Sequence, residues 1–241
     1  MRKISLFISI IILFSISYFI FNYNSTSSNL NEDTVIYYIP HQDDEVITFG
    51  VSIYSNINDE KNVQIVLLTD GSASKIRGVL NMTPEIFTTA RDKEMSLALQ
   101  ALGVDLSNLH KQNFKDGELK VEQVEEVIKH FANKYPNASH KTFSYYDPHP
   151  DHSNAGNAIK NMLENGIVQN ASFYIGPNFM PLEHIEIFED HYEDSFYPFI
   201  LAASRSYNIN DDKNGFYGIG WKSVPGLFEF LEENPRSIYH K

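Results

Sequence analysis

Alternating apolar and polar segments divide most of this chain into short strands and amphipathic helices. Largely apolar runs predict two strands buried on both faces, Thr34–Ile39 and Val63–Thr69, and two further strands at Lys141–Tyr146 and Ser172–Ile175. Apolar residues near a 3.6-residue spacing predict helices that begin at Glu45, run from the Thr83-Pro84 start to Leu102, and cover Val121–Phe131 and Asn154–Leu163.

This strand–helix alternation predicts an α/β fold with a Rossmann-like, mostly parallel sheet and helices on both faces. We expect residues 34–241 to form one such domain. Beyond Pro181 the chain is rich in Phe, Tyr and acidic residues without a clear period, so the pattern predicts no order of elements there.

The first residues have a different pattern. Arg2 and Lys3 precede an uncharged apolar stretch from Ile4 to Phe21, which predicts a membrane anchor or a signal segment over residues 1–21. Residues 22–33 are rich in Asn, Ser and Thr, as is typical of a tether. The cations on the amino side predict an N-terminus inside and an extracytoplasmic domain, or a secreted one if the segment is cleaved.

Composition restricts the chemistry. The chain has no cysteine, which excludes disulfides, thiolate metal sites and a cysteine nucleophile, so any metal must be bound by His and carboxylate. The formal net charge of −12 disfavours nucleic acid and anionic lipid surfaces as partners.

Two clusters of His and Asp directly follow predicted strands. They are His41-Gln-Asp-Asp-Glu45 and Asp147-Pro-His-Pro-Asp-His152. His41 and Asp44 are three residues apart at a strand-to-helix turn, and one histidine of the second cluster would complete the three ligands of a catalytic zinc. Asp43 and the second histidine then remain for proton transfer and charge stabilisation in a hydrolysis.

Each cluster also has a structural interpretation. Acidic residues after a strand commonly cap a helix, and a His-Pro-Asp-His stretch by itself fits a polar loop. Both clusters, however, follow strands of the same predicted sheet, and the carboxyl ends of parallel strands are where open α/β sheets carry their sites. Their coincidence favours a functional site.

These paired clusters resemble the LmbE-like superfamily, which includes the N-acetylglucosaminyl-phosphatidylinositol (PIG-L) de-N-acetylases. The resemblance covers roughly Thr34 to Pro177, and three further segments agree with it: Leu67–Ser72, the Arg91-x-x-Glu94 helix and the Phe114–Leu119 turn. One departure is Gln42, where the family commonly has proline. A second is Asp147, where some members have a mobile tyrosine.

The resemblance implies specific roles. His41, Asp44 and His152 match the zinc ligands, although another divalent metal would also suit such a set. Asp43 matches the general base. His149 matches the histidine that stabilises the oxyanion, here expected in its protonated form, and that passes its proton to the departing amine. Arg91 matches a substrate-contacting arginine, with a salt-bridged surface residue as the alternative. Asp151 is expected either to orient a histidine or to cap the following helix.

The resemblance also implies a substrate with N-acetylglucosamine units. Combined with the expected export, it predicts a deacetylase acting on an N-acetylated sugar of a surface glycan, oligosaccharide or lipid-linked saccharide. The aromatic residues Phe216, Tyr217 and Trp221 either stack on sugar rings or belong to the core. Two other classes stay open: a zinc amidase or esterase acting on a non-sugar substrate, and a non-catalytic glycan-binding module.

Overall fold

The computed structural model of the protein describes residues 33–177 and 184–241. Its strands are β1 Thr34–Ile39, β2 Asn62–Thr69, β3 Leu109–Phe114, β4 Ser139–Phe143, β5 Ala171–Tyr174, β6 Phe188–Glu189, β7 Asn210–Asp211, β8 Phe216–Tyr217 and β9 Ile238–His240. Its α-helices are α1 Asp44–Ile47, α2 Gly50–Asn58, α3 Ile76–Val79, α4 Pro84–Ala101, α5 Val121–Lys134, α6 Pro150–Glu164, α7 Tyr197–Ser206, α8 Ile219–Ser223 and α9 Pro225–Glu233.

Seven of these strands form one mixed, mostly parallel sheet in the order β3-β2-β1-β4-β5-β9-β6. Strands β1 to β5 pair with one another in parallel, whereas β9 is antiparallel to both β5 and β6. The predicted α/β class and the mostly parallel sheet are therefore confirmed. The C-terminal residues, for which the sequence predicted no order, supply the antiparallel strands at one side of the sheet.

Helices cover both faces of the sheet because β1 and β2 alternate their apolar side chains between two cores. Tyr37 and Ile65 pack on one face with residues of α2, α4, α7 and α9. Tyr38 and Val66 pack on the other face with residues of α5 and α6. A strand that is covered on both sides must be apolar at nearly every position, as the sequence of β1 is.

Two predicted boundaries were wrong, and one strand was not predicted. The strand predicted at Lys141–Tyr146 ends at Phe143, so its last residues belong to the loop that carries the second cluster. The helix predicted from Asn154 begins at Pro150, with His149 as its N-cap. Strand β3 was not predicted, because it is an edge strand with one neighbour and its sequence, LHKQNF, contains no apolar run.

Among the described residues, no helix combines the length and the apolar composition needed to cross a membrane. The predicted anchor at residues 1–21 and residues 22–32 of the predicted tether lie outside those residues. The described residues begin at Asp33, next to the amino end of β1. His41 follows the opposite, carboxyl end of that strand.

Candidate active site

The two polar clusters meet at one edge of the sheet. Strands β1 and β4 are parallel neighbours, with Val35 opposite Ser139 and Tyr37 opposite Lys141, so the loops after both strands leave the sheet side by side. The second loop ends at His149, and helix α6 then carries Asp151 and His152 in its first turn. Residues more than one hundred positions apart in the chain are thereby brought into direct contact.

Three side-chain atoms converge in this contact. Nδ1 of His41 lies 3.2 Å from Nε2 of His152 and 3.3 Å from Oδ2 of Asp44. Nε2 of His152 lies 3.4 Å from the same Asp44 oxygen. Ligand atoms of a tetrahedral zinc ion, with bonds of about 2.0–2.2 Å, are about 3.3–3.5 Å apart. Two imidazole nitrogens and one carboxylate oxygen at this spacing fit such an ion in chemistry and in separation.

The opposite nitrogen of His41 faces two other carboxylates. Its Nε2 lies 3.1 Å from Oδ2 of Asp151 and 3.2 Å from Oδ1 of Asp116. Asp151 also accepts hydrogen bonds from the backbone N–H groups of Gly117 and Leu119, and Asp116 accepts one from Ala73. Both carboxylates are thus fixed by the backbone and hold the His41 ring, as partners of metal-binding histidines do.

Besides the converging set, two overlapping groups of described residues have the spacing to hold a metal ion, His41–His149–His152 and His41–Asp116–Asp151. In the second group, Oδ2 of Asp151 already accepts from the backbone N–H of Gly117, which makes this group the weaker candidate. The first group has His149 in place of Asp44; Nδ1 of His149 and Oδ2 of Asp44 each accept one backbone hydrogen bond, from Asp151 and from His41. The set His41, Asp44 and His152 fits a tetrahedral metal in the separations of its donor atoms, 3.2–3.4 Å.

The charged groups in this contact shift one another's pKa values. Burial alone would raise the pKa of Asp44, but the charges and hydrogen bonds of His152 and His41 outweigh it and hold that pKa well below its usual range. Burial alone would lower the pKa of His41, but Asp116, Asp151 and Asp44 together raise it. The pKa of His152 is raised against burial by Asp44 and Asp147. The site accordingly favours a cation.

Asp43 lies beside this set and is held by a buried arginine. Nη2 of Arg91 donates to Oδ2 of Asp43 at 3.1 Å and also to the carbonyl oxygen of Gln42, and Nη1 donates to the carbonyl of Gly71. Arg91 is 5% exposed, so the alternative of a surface residue is wrong. Burial raises the pKa of Asp43 to about 6, although the charge of Arg91 opposes this shift.

Gly71 allows this arrangement. Its φ is +65°, and a Cβ atom there would lie 2.0 Å from Oε1 of Gln42 and 2.8 Å from Nη1 of Arg91. A side chain at this position would therefore displace the guanidinium from Asp43. Gln42 itself is buried and donates through Nε2 to Asp92 at 2.8 Å, so the residue that replaces the family's usual proline is tied to helix α4.

His149 is exposed at the mouth of the site and has a defined tautomer. Its Nδ1 accepts a hydrogen bond from the backbone N–H of Asp151 at 3.2 Å, as the N-cap of helix α6. A nitrogen that accepts carries no proton, so the proton of the neutral ring is on Nε2. Burial and the neighbouring histidines His41 and His152 also lower the pKa of His149. The geometry favours a neutral His149, in contrast to the expected protonated form. It also excludes Asp151 as the cap of this helix.

A cavity of about 470 Å³ opens onto these groups. Its polar lining comes from residues of both clusters together with Arg91 and Asp116, and its apolar lining includes Ile47, Phe143, Pro177, Val224 and Leu227. Within the described ranges, the residues that line the cavity do not include Phe216, Tyr217 or Trp221. Trp221 instead stacks on Phe228 at 5.5 Å, and Tyr217 packs beside Phe87, as core residues do.

Two residues of the site were not given roles from the sequence. Asp116 lies in the Phe114–Leu119 turn, and the Asp-Gly pair in that turn was the available signal. Asp147 was noted as a departure from the family pattern; its Oδ1 lies 3.2 Å from Nδ1 of His152 and accepts from the backbone N–H of His149 at 2.8 Å. Asp147 is thus paired by charge with the His152 ring, although Nδ1 of His152 makes no hydrogen bond, whereas Asp151 is hydrogen-bonded to His41.

Solved structures with the same fold include several deacetylases. A triple mutant of a deacetylase involved in the teicoplanin biosynthetic pathway is 17% identical, with a TM-score of 0.67 over 86% of this chain and 97% of that chain. The N,N'-diacetylchitobiose deacetylase of Pyrococcus horikoshii is 19% identical, with a TM-score of 0.60 over 83% of this chain and 76% of that one. The 4-carboxy-2-hydroxymuconate hydratase of Pseudomonas putida also matches, at 12% identity and a TM-score of 0.58 over 86% and 95% of the two chains. At such identities these similarities show the fold.

No curated protein matches the chain significantly. The family model of the GlcNAc-PI de-N-acetylases, PIG-L, matches residues 36–163, which is more than half of the chain and includes both His/Asp clusters. This protein therefore belongs to the PIG-L (LmbE-like) family of de-N-acetylases.

Proposed function

We propose that this protein is a metal-dependent hydrolase that removes the acetyl group from an N-acetylated, GlcNAc-type sugar. One observation carries the proposal: the donor atoms of His41, Asp44 and His152 converge at separations of 3.2–3.4 Å beside the carboxylate of Asp43. Binding alone would not need a second, buried carboxylate next to a metal site. Family membership supplies the reaction class.

His41, Asp44 and His152 would hold the metal, with Asp116 and Asp151 orienting His41 and the charge of Asp147 beside His152. Two imidazoles and one carboxylate with an open position suit zinc, as they suit other divalent ions, and zinc is the ion that we propose. When bound, zinc supplies Lewis acidity, which lowers the pKa of a coordinated water towards about 7 and polarises a carbonyl oxygen.

Asp43 acts as the general base. Its carboxylate accepts a proton from the attacking water, and its pKa of about 6 suits proton transfer near neutral pH. Oδ2 is occupied by Arg91, which leaves Oδ1 as the oxygen that takes the proton. As the C–N bond breaks, the same carboxyl returns the proton to the departing nitrogen. The products are acetate and the free amino sugar.

His149 stabilises the negative oxygen of the tetrahedral intermediate as a neutral donor. Its Nδ1 is occupied by the Asp151 backbone, so Nε2–H is the group free to donate to a substrate oxygen. A neutral histidine does not lose its proton during the reaction. For this reason the leaving group receives its proton from Asp43 and not from His149.

The cavity supports a sugar with an apolar substituent. A neighbouring cavity of about 240 Å³ shares Ile47, Thr48, Gly176 and Pro177 with it. The rest of this second cavity is lined mostly by apolar residues, with two polar ones: Ile175, Phe230, Leu231, Ile238, Asn234 and Arg236. A sugar ring at the metal would leave this space for an aglycone or another apolar group.

We also propose that the domain works outside the cytoplasm, on a surface glycan, an oligosaccharide or a lipid-linked saccharide. The proposal rests on the apolar stretch Ile4–Phe21 and the cations before it. The described chain begins at the amino end of β1, and the site lies at the carboxyl ends of the strands. A domain anchored at its N-terminus could therefore direct its site away from the membrane.

The test is metal content together with acetate release from the full chain, using N-acetylglucosamine, its β-linked oligomers and alkyl glycosides. We expect one metal ion per chain and acetate release that falls at least a thousandfold in Asp43→Asn with the metal retained. Asp59→Asn, at the exposed end of α2, is the matched control and should keep full activity. Release from simple amides or esters but not from sugars would favour the alternative hydrolase. A metal-free, inactive protein would favour a glycan-binding module.

A further inference from the structure

Asp43 has an unusual backbone conformation. Its φ is 102° and its ψ −31°, and it is a buried residue other than glycine. Residues other than glycine are strained at a positive φ of this size, and such a conformation persists only where surrounding contacts maintain it. Asp43 precedes helix α1 but has no side-chain cap hydrogen bond there. Its conformation is therefore maintained by other contacts.

One of these contacts is with Glu45. The backbone N–H of Asp43 donates to Oε2 of Glu45 at 3.0 Å, so the carboxyl group of Glu45 turns back towards the start of the helix. Glu45 is completely buried. An acidic residue in a first helical turn normally stays exposed, because burying a carboxyl group is costly unless it is hydrogen-bonded. The other carboxylate oxygen of Glu45, Oε1, therefore also needs a hydrogen-bond partner.

That second oxygen accepts a hydrogen bond from the hydroxyl of Tyr207. Tyr207 follows helix α7 and is itself completely buried. Its ring lies 5.4 Å from that of Phe228, and a Cβ atom on Gly220 would lie 2.5 Å from its Cδ1. Helices α8 and α9 thus fix the ring, and the ring fixes the hydroxyl.

We propose that Tyr207 and Glu45 form a positioning pair, which orients the general base by holding the N–H of Asp43. The pair acts on the backbone of Asp43, whereas Arg91 acts on its carboxylate, so the residue is held from two sides. Tyr207 lies outside the residues matched by the family model, 36–163. The C-terminal part of the chain thereby takes part in building the site. The kinetic part of this inference rests on the proposed function.

The principal variant is Tyr207→Phe, which removes one hydroxyl and keeps the ring. We expect kcat to fall about tenfold, with KM within a factor of two and the metal content unchanged. The matched control is Tyr38→Phe. Tyr38 is also completely buried, and its hydroxyl contacts Nδ1 of His140 at 3.1 Å in the other core. The Tyr38→Phe variant should lose as much stability as Tyr207→Phe but keep kcat within a factor of two of the wild type.

Two variants of Glu45 separate positioning from packing. In Glu45→Gln the amide oxygen can still accept from Asp43 and the amide nitrogen can donate to the Tyr207 oxygen, so we expect at least a third of the activity. Glu45→Leu keeps the volume but has no acceptor and should lose at least as much kcat as Tyr207→Phe. Equal activity of Gln and Leu variants would overturn the proposal.

An independent readout uses metal-free protein and needs no activity. Hydrogen exchange of the Asp43 amide, followed by NMR, should accelerate about tenfold in Tyr207→Phe and stay unchanged in Tyr38→Phe. If the wild type releases no acetate from any substrate, the proposed function fails and this exchange experiment alone decides about the pair. Unchanged exchange in Tyr207→Phe, or the same loss of kcat in both tyrosine variants, would show that Tyr207 is not a positioning residue.

Discussion

The guanidinium of Arg91 donates to Oδ2 of Asp43 at 3.1 Å, and both side chains are almost completely buried. Helix α4 thus supplies the countercharge for a carboxylate that belongs to the loop after β1. The contact joins the Arg-x-x-Glu helix to the His41–Glu45 cluster, two segments that the family resemblance noted separately.

Arg91→Met should destabilise the protein and inactivate it. The change leaves the carboxylate of Asp43 buried without its partner, for which we expect a loss of about 3–5 kcal/mol in the free energy of unfolding. Urea denaturation measures this loss, and acetate release should fall at least a hundredfold. Arg205→Met removes a pair with Glu232 in which the arginine is exposed, and it should cost about 1 kcal/mol. Equal losses in the two variants would contradict the role given to Arg91.

Gly156→Ala should displace the helix that carries His152. A Cβ atom at Gly156 would lie 2.6 Å from the backbone nitrogen of Tyr145 and 2.7 Å from the carbonyl oxygen of Phe143, so helix α6 must move away from β4. We expect a loss of about 1–3 kcal/mol in stability and weaker zinc binding, measured by denaturation and by competition with a chelator.

The control for this change is Gly226→Ala in helix α9. A Cβ atom there meets nothing within 4 Å. Since alanine is the better helix former, this variant should be as stable as the wild type or up to about 1 kcal/mol more stable. Zinc binding by Gly156→Ala at the level of Gly226→Ala would show that α6 has room to adjust.

Glu94 should make the protein less stable as pH rises from about 4.5 to about 7. Burial raises its pKa from 4.5 to about 7, although the backbone N–H groups of Ile219 and Gly220 oppose this shift. The folded protein therefore holds the proton more strongly than the unfolded chain. The resulting stabilisation, on the order of 3 kcal/mol, is complete below pH 4.5 and is lost as pH rises through 7.

Glu94→Gln tests this dependence because glutamine resembles the protonated acid and does not titrate. Between pH 5 and pH 7.5, the free energy of unfolding of the metal-free variant should fall less than that of the wild type. Glu229→Gln, an exposed change in α9, should follow the wild-type curve. Parallel curves for the wild type and Glu94→Gln would refute the assignment.

Longer alkyl glycosides of N-acetylglucosamine should be better substrates. Each methylene buried in the apolar cavity beside the site is worth about 0.8 kcal/mol, so kcat/KM should rise about three- to fourfold per added carbon over the first several. Ile238→Asn, in the wall of that cavity, should flatten the series, whereas Ile167→Asn at an exposed position should not. A flat series in the wild type would mean that the aglycone lies elsewhere.

The sequence by itself determined the α/β class, the central strands and the two clusters that meet at the site. Apolar runs such as those of β1 and β2 are required when a strand is covered on both faces, so their pattern is visible locally. Residues that follow neighbouring parallel strands must lie at the same edge of the sheet. His41, Asp44 and one histidine of the second cluster could therefore be predicted to come together without any knowledge of side-chain positions, and the family resemblance singled out His152.

Tertiary structure alone decided which groups surround those residues. Tyr207 and Glu45 are 162 positions apart, and their hydrogen bond depends on how α7, α8 and α9 pack on the sheet, which no local period encodes. The same is true of Glu94 with Ile219 and of Asp116 with His41. The neutral form of His149 follows from one backbone hydrogen bond at a helix start whose position the sequence pattern missed. Local patterns specify elements and their order, whereas the orientation and charge state of buried polar groups depend on contacts between distant parts of the chain.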